Sequence, residues 1–340
     1  MLAPIIALAA LLLVACGNDP VIPTPSANPP TMTCPADVSA RVSLNASQLV
    51  EFAAPTVSGG VAPVTLTCTP ASGSRFSLGT TSVTCVVVDS FTHTGQCSFK
   101  VTLTRATLGA TRFLAFGDSV TGGQNGLSES LVAPRYVDVP NAYPTKLQAS
   151  LQRDFPDQGI VVVNKGLGGE LVEDALERLP GVLAQYQPDA VLLLDGYNNL
   201  RNWCSLSQGV TPVTPACATT IDLVVAKLGE CVRTARRSSG VRYVFLSTLT
   251  PSGLLRGSFD RRISLDAVIR LNALIAEMAG AEGATLVDPY PLFLGRVSEL
   301  VNDDGLHLTA AGNEVLAAVF FDKITATIPQ TSVPSSARVR

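Results

Sequence analysis

The chain has 340 residues, 46% of them apolar, 15% charged and 6% aromatic, with a formal net charge of -3. This composition excludes a disordered or collagen-like chain despite 27 Gly and 23 Pro, and the length predicts two folded units. The 24 Lys and Arg are scattered without a run and there are only two histidines, His93 and His307, which argues against nucleic acid as a partner and against a His-rich metal centre; no metal or cofactor is expected.

From the N-terminus, Leu2 to Val14 is almost purely apolar, too short to span a bilayer and as long as a signal-peptide core. It ends in Leu13-Val14-Ala15-Cys16 before Gly17-Asn18-Asp19-Pro20, which resembles the lipobox of bacterial lipoproteins, although the usual positive residues are absent from Met1 to Pro4. The resemblance implies removal of residues 1–15 and lipidation of Cys16 as an anchor to the bacterial cell envelope, with Gly17 favouring the outer membrane of a double-membrane cell. Residues 16–33, with Pro20, Pro23, Pro25, Pro29 and Pro30, read as an extended tether.

From Cys34 to Arg105 the texture is short alternating runs at Val38 to Leu44, Val64 to Thr67, Ser82 to Val88 and Ser98 to Leu103, separated by Gly/Ser/Thr turns. That predicts a small all-β sandwich. Cys34-Pro35-Ala36-Asp37, Cys68-Thr69-Pro70, Gly79-Thr80-Thr81-Ser82-Val83-Thr84-Cys85, Asp89 and Gly95-Gln96-Cys97-Ser98-Phe99 resemble the hyalin-repeat (HYR) module, an immunoglobulin-like domain. The resemblance implies a spacer or adhesion role with cell-surface or glycan contact. Four cysteines allow three pairings, which the sequence leaves open. His93 is expected as an exposed turn residue.

Residues 111–328 change to alternating strands and helices, followed by a polar tail, 329–340. Phe113 to Phe116, Ile160 to Val163, Ala190 to Leu194, Tyr243 to Leu246 and Ala284 to Val287 read as five buried strands. Amphipathic stretches at Tyr143 to Phe155, Leu171 to Tyr186, Thr219 to Arg237, Ser264 to Ala279 and Thr309 to Thr327 read as helices. The alternation predicts an α/β fold with a five-stranded parallel sheet covered on both faces, binding ligands at the carboxyl ends of its strands.

The loops at those ends carry Gly117-Asp118-Ser119, Asn164-Lys165-Gly166-Leu167-Gly168-Gly169, Gly196-Tyr197-Asn198-Asn199 and Asp304-Gly305-Leu306-His307. Acyl transfer needs an activated hydroxyl, an oriented base and donors aimed at the developing oxyanion. Ser119 on a strand-to-helix turn supplies the first, His307 with Asp304 the second, and the Gly169 N–H, the Asn198 amide and the Ser119 N–H the third. These four motifs resemble the SGNH (GDSL-type) hydrolases over about Thr111 to Ile328. The resemblance implies a flavodoxin-like three-layer α/β/α sandwich, a serine esterase acting without metal on a small acyl ester or an acylated glycan, Ser119 as nucleophile, His307 as base, Asp304 as its orienting partner, and Ser119, Gly169 and Asn198 as the oxyanion hole. Two positions depart from the family pattern: Val120 replaces Leu, and Asn199 replaces Asp, which questions any structural bond made by that carboxylate. The competing reading is a surface adhesion or glycan-binding lipoprotein with a non-catalytic hydrolase domain, against which the intact Ser119, Asp304 and His307 argue.

Arg201 to Ala218, with Cys204 and Cys217, and Gly122 to Asn141 read as long pocket-shaping loops. Arg256, Arg261 and Arg262 read as a solvated loop. Among the seven cysteines after Cys16, Cys231 is expected to stay unpaired, buried by the apolar stripe of Ile221, Val224, Leu228 and Val232.

Overall fold

Apolar runs as dense as Ala190 to Leu194 have no polar face to give to water, so a sheet built from them has to be covered on both sides. The computed structural model describes residues 28–42, 47–125, 137–206, 213–252 and 262–330. The signal segment, Cys16, most of the tether, Arg256 and Arg261 lie outside the described residues.

The N-terminal unit contains β1 Thr31–Thr33, β2 Val38–Val42, β3 Ser47–Val50, β4 Thr56–Ser58, β5 Thr65–Thr69, β6 Ser74–Ser77, β7 Gly79–Val88 and β8 Thr94–Arg105. The C-terminal unit runs β9 Arg112–Gly117, α1 Ser119–Gly122, α2 Tyr143–Asp154, β10 Val161–Gly166, α3 Val172–Tyr186, β11 Ala190–Leu194, α4 Tyr197–Trp203 and β12 Ser205–Leu206. It continues α5 Pro215–Arg237, β13 Tyr243–Ser247, β14 Arg262–Ile263, α6 Leu265–Glu282, β15 Thr285–Val287, α7 Tyr290–Phe293, α8 Val297–Leu300 and α9 Ala310–Thr327.

The main sheet has the order β10-β9-β11-β13-β15 with every pairing parallel. Helix α2 packs on α9, while α5 packs on both α3 and α6, giving the three-layer α/β/α sandwich. The Tyr143 and Phe320 rings stack 5.1 Å apart between α2 and α9. Helix α2 has no local side-chain cap; instead Asn313 Oδ1, from α9, accepts the Tyr143 N–H at 3.0 Å. Among the described residues no helix is long and apolar enough to cross a membrane.

In the N-terminal unit β2-β8-β7-β5 form one sheet, with β3-β6 and β1-β4 as separate pairs. Val50, Phe76, Val83, Phe99 and Val101 fill its core. The pairing left open by the sequence is Cys34–Cys97 and Cys68–Cys85. Thr31–Thr33 pairs with Thr56–Ser58, so the β unit begins within the stretch expected as tether. His93 is half-buried rather than exposed: its Nδ1 lies 3.2 Å from Asp89 Oδ2, and the Asp89 carboxylate also accepts the Val61, Phe91 and His93 N–H groups. These bonds hold Asp89 below the ordinary carboxylate range against the upward push of burial.

The connection between the units is part of the hydrolase core. Ala106, Leu108 and Ala110 are buried in it, and the Leu108 N–H and C=O exchange hydrogen bonds with the Gln158 side chain at 2.6 and 2.8 Å. Leu108→Ala is therefore expected to cost about 2–5 kcal/mol in a chain that begins at Ala106, which is itself expected to fold and keep esterase activity. Urea melts of the two chains check this.

Candidate active site

Strand β9 ends at Gly117, where a Cβ would stand 1.8 Å from the Leu194 carbonyl oxygen of neighbouring β11. Only glycine lets the two strand ends approach so closely. The chain turns at once into α1, with Asp118 as N-cap accepting the Val120 N–H at 3.0 Å. Ser119 is thus the first helical residue, at the carboxyl edge of the sheet.

His307 comes to it from the other end of the domain. Its Nε2 lies 2.9 Å from Ser119 Oγ, and its Nδ1 is hydrogen-bonded to Asp304 Oδ2. A proton on Nδ1 facing the carboxylate leaves Nε2 free to accept from the serine hydroxyl. Asp304 Oδ1 accepts the Leu306 and His307 N–H groups, both at 3.0 Å, so one short loop fixes ring and carboxylate together. Burial pushes the Asp304 carboxyl up, but its hydrogen bond to His307, the imidazolium charge and the two backbone donors outweigh this and hold it below its ordinary range. Ser119 and His307 are only 1% and 5% exposed, so charge developing between them is weakly screened.

The second and third sequence motifs meet at the same edge of the sheet. Gly169 follows β10 with φ at +84°, in the left-handed region that favours glycine. Asn198, in the first turn of α4, donates from Nδ2 to the carbonyl of Glu170 at 2.9 Å. One amide hydrogen is therefore anchored beside Gly169 and the second remains for a substrate oxygen. Tyr197 fixes α4 from behind: its hydroxyl accepts the Thr250 N–H at 2.5 Å and lies 2.8 Å from Thr250 Oγ1.

Asn199 explains the departure from Asp. Its Oδ1 accepts the Val172 N–H at 3.1 Å, capping α3, which has no local side-chain cap, and its Nδ2 donates to Glu173 Oε2 at 2.8 Å. An aspartate keeps the first bond and turns the second into carboxylate repulsion. Asn199→Asp is expected to lower stability by about 1–3 kcal/mol, and Glu173→Gln to restore it in the double variant, as read from urea midpoints.

One positioning residue was not foreseen from the sequence. Asn302 donates from Nδ2 to the Asn125 carbonyl at 2.5 Å and to the Leu308 carbonyl at 2.9 Å, while its N–H donates to the His307 carbonyl at 2.8 Å. It ties the His307 loop to the segment just after Ser119, whose Gln124 N–H donates to the Ser119 carbonyl at 3.0 Å. Its place just ahead of Asp304-Gly305-Leu306-His307 was the only sequence signal. Asn302→Ala is expected to lower kcat by about 10–100-fold with little change in KM, measured with a short-chain ester.

The expected long loop from Arg201 to Ala218 is shorter than its sequence implied. Helix α4 continues to Trp203 and α5 begins at Pro215, so the Cys204–Cys217 disulfide joins one helix end to the next helix's first turn. Residues 207–212 lie outside the described residues, as do 126–136 of the loop after Ser119. Cys231 is unpaired and buried, its thiol pushed up to about 12 mainly by burial. Among the described residues no group of three or more His, Cys, Asp or Glu side chains is placed to hold a metal ion.

The GDSL-like lipase/acylhydrolase family matches residues 115–315 and the HYR domain matches residues 26–103. Among solved structures, a gut microbial diltiazem-metabolizing enzyme has a TM-score of 0.52 at 16% identity, covering 64% of this chain and 48% of that one. An aryl esterase of M. smegmatis has a TM-score of 0.50 at 20% identity, covering 64% and 99%. A carbohydrate acetylesterase from Sinorhizobium meliloti has a TM-score of 0.48 at 20% identity, covering 63% and 98%. No curated protein matches the sequence.

Proposed function

The chain belongs to the GDSL-like lipase/acylhydrolase family and is a hydrolase acting on ester bonds, and from that premise we propose that it is a serine esterase working through Ser119, His307 and Asp304. The observation that carries the assignment of roles is the 2.9 Å contact from Ser119 Oγ to His307 Nε2, with the opposite ring nitrogen on Asp304.

Ser119 Oγ attacks the ester carbonyl carbon while His307 Nε2 takes its proton, and Asp304 holds the tautomer and stabilises the imidazolium that forms. The carbonyl oxygen, now negative, is met by the Ser119 and Gly169 N–H groups and the free Asn198 amide hydrogen. Collapse breaks the bond to the alcohol, which leaves with the proton from His307. Water then repeats the sequence on the acyl-enzyme: His307 takes a water proton, the acid departs, and Ser119 recovers its hydrogen.

The substrates on this reading are short acyl esters, O-acetylated glycans among them. The protein is exported and anchored in the bacterial cell envelope through lipid on Cys16, with the HYR unit as spacer or cell-surface contact. Three disulfides support an oxidising compartment. A chromogenic short-chain ester assayed with wild type and Ser119→Ala tests the mechanism, and equal rates would sink it. Acetylated glycans assayed against longer acyl esters test the substrate, and lipid labelling lost in Cys16→Ser tests the anchor.

A further inference from the structure

Strands β9 and β11 are paired so that Gly117 lies opposite Leu194. The residues that follow, Asp118 and Asp195, therefore leave adjacent strand ends at the same level, directly behind the nucleophile. Both are buried, at 0% and 1% exposure. Each uses one oxygen locally: Asp118 Oδ1 accepts the Val120 N–H at 3.0 Å and Asp195 Oδ1 accepts the Gly196 N–H at 2.6 Å. The second oxygen of each is buried without a hydrogen-bond partner among the described residues.

The charges around the pair do not balance two anions. Asp118 faces His307 and Glu170, and Asp195 faces Asp118, Glu170 and Arg178. The phenols of Tyr143 and Tyr197 and the Cys231 thiol, which feel these carboxylates, are themselves held neutral chiefly by burial. Among the described residues the one permanent cation facing the pair, Arg178, is committed to Glu170 through bonds at 2.7 and 2.5 Å. Two carboxylates side by side in a dry interior cannot both ionise near neutrality. Asp118 has the stronger claim to the charge, because the Val120 and Tyr197 N–H groups and the His307 imidazolium all favour its anion. Asp195 has a single backbone donor.

We propose that Asp195 is a neutral carboxylic acid at pH 7 and a positioning residue for the reaction, leaving Asp118 as the single anion behind Ser119. Burial and the Asp118 charge both push the Asp195 carboxyl well above its ordinary range. When Asp195 finally ionises, repulsion at the two strand ends works against the Asp118 cap on Val120 and so against the placement of Ser119. The kinetic consequence rests on Ser119 being the nucleophile; the protonation state does not.

Infrared difference spectroscopy of the full chain, carrying aspartate labelled with heavy carbon at the carboxyl, tests the protonation directly. At about pH 7.5 the wild type is expected to show the carbonyl stretch of a protonated aspartic acid, shifted by the label, lost in Asp195→Asn and kept in Asp118→Asn. In parallel, kcat for a short-chain ester is expected to fall on the alkaline side in wild type, whereas the kcat of Asp195→Asn, relative to its own value at neutrality, lacks that fall. A wild type without the band, or a band that survives Asp195→Asn, overturns the neutral acid; the same alkaline fall in both proteins overturns the positioning role. Should Asp195→Asn fail to fold, the wild type still decides, because its labelled band must disappear over the same pH range as its activity.

Discussion

Replacing His307 by Asn is expected to lower kcat for ester hydrolysis by about 10⁴–10⁶ at every pH, with the fold retained. Asparagine cannot take the Ser119 proton, and no second imidazole is at hand, because His93 sits in the β unit against Asp89. His93→Asn should leave the rate and its pH dependence as they were. The base must be neutral to take the Ser119 proton, so the wild-type rate falls on the acid side. Asp304 does not set that fall: its carboxyl is held below the ordinary range, so the stability it contributes is present above the unfolded carboxyl pKa and lost only as pH falls through the lower folded one. Asp118 does enter, since burial raises it to about 6. The acid limb is therefore expected to carry the Asp118 ionisation and to lose that contribution in Asp118→Asn, as read from kcat against pH.

The second large effect is at the oxyanion hole. Asn198→Ala is expected to cut kcat by about 10²–10³ and to leave KM nearly unchanged, because the lost donor matters most once the substrate oxygen carries charge. The neighbouring Asn199→Ala should cost stability instead, since Asn199 caps α3 and binds Glu173. Steady-state kinetics and urea melts on the two variants separate these effects, and a reversal would place the donor one residue away.

What the sequence made legible follows from what is local. Each strand of the parallel sheet is an uninterrupted apolar run, and the four motifs sit at loops whose place is set once the strands are known. The Asn199 and Asn313 caps were not legible, because they reach α3 and α2 from 27 and 170 residues away. In the β unit, β1, β3, β4 and β6 have three or four residues each, too few for alternation to stand out. The start of α5 was legible and overlooked: Thr214 caps the Cys217 N–H and Pro215 follows at the first helical position, the usual opening of a helix. Asn302 joins loops 177 residues apart, a relation no spacing rule can supply.

In the proposed mechanism one serine, made nucleophilic by one histidine, carries the reaction. Intact-mass and peptide mapping after treatment with a fluorophosphonate, which phosphonylates an activated serine with loss of fluoride, measures it directly. The expected result is a single adduct on Ser119 in the wild type, absent from Ser119→Ala and nearly absent from His307→Asn. An adduct on another residue, or equal labelling without His307, would contradict it.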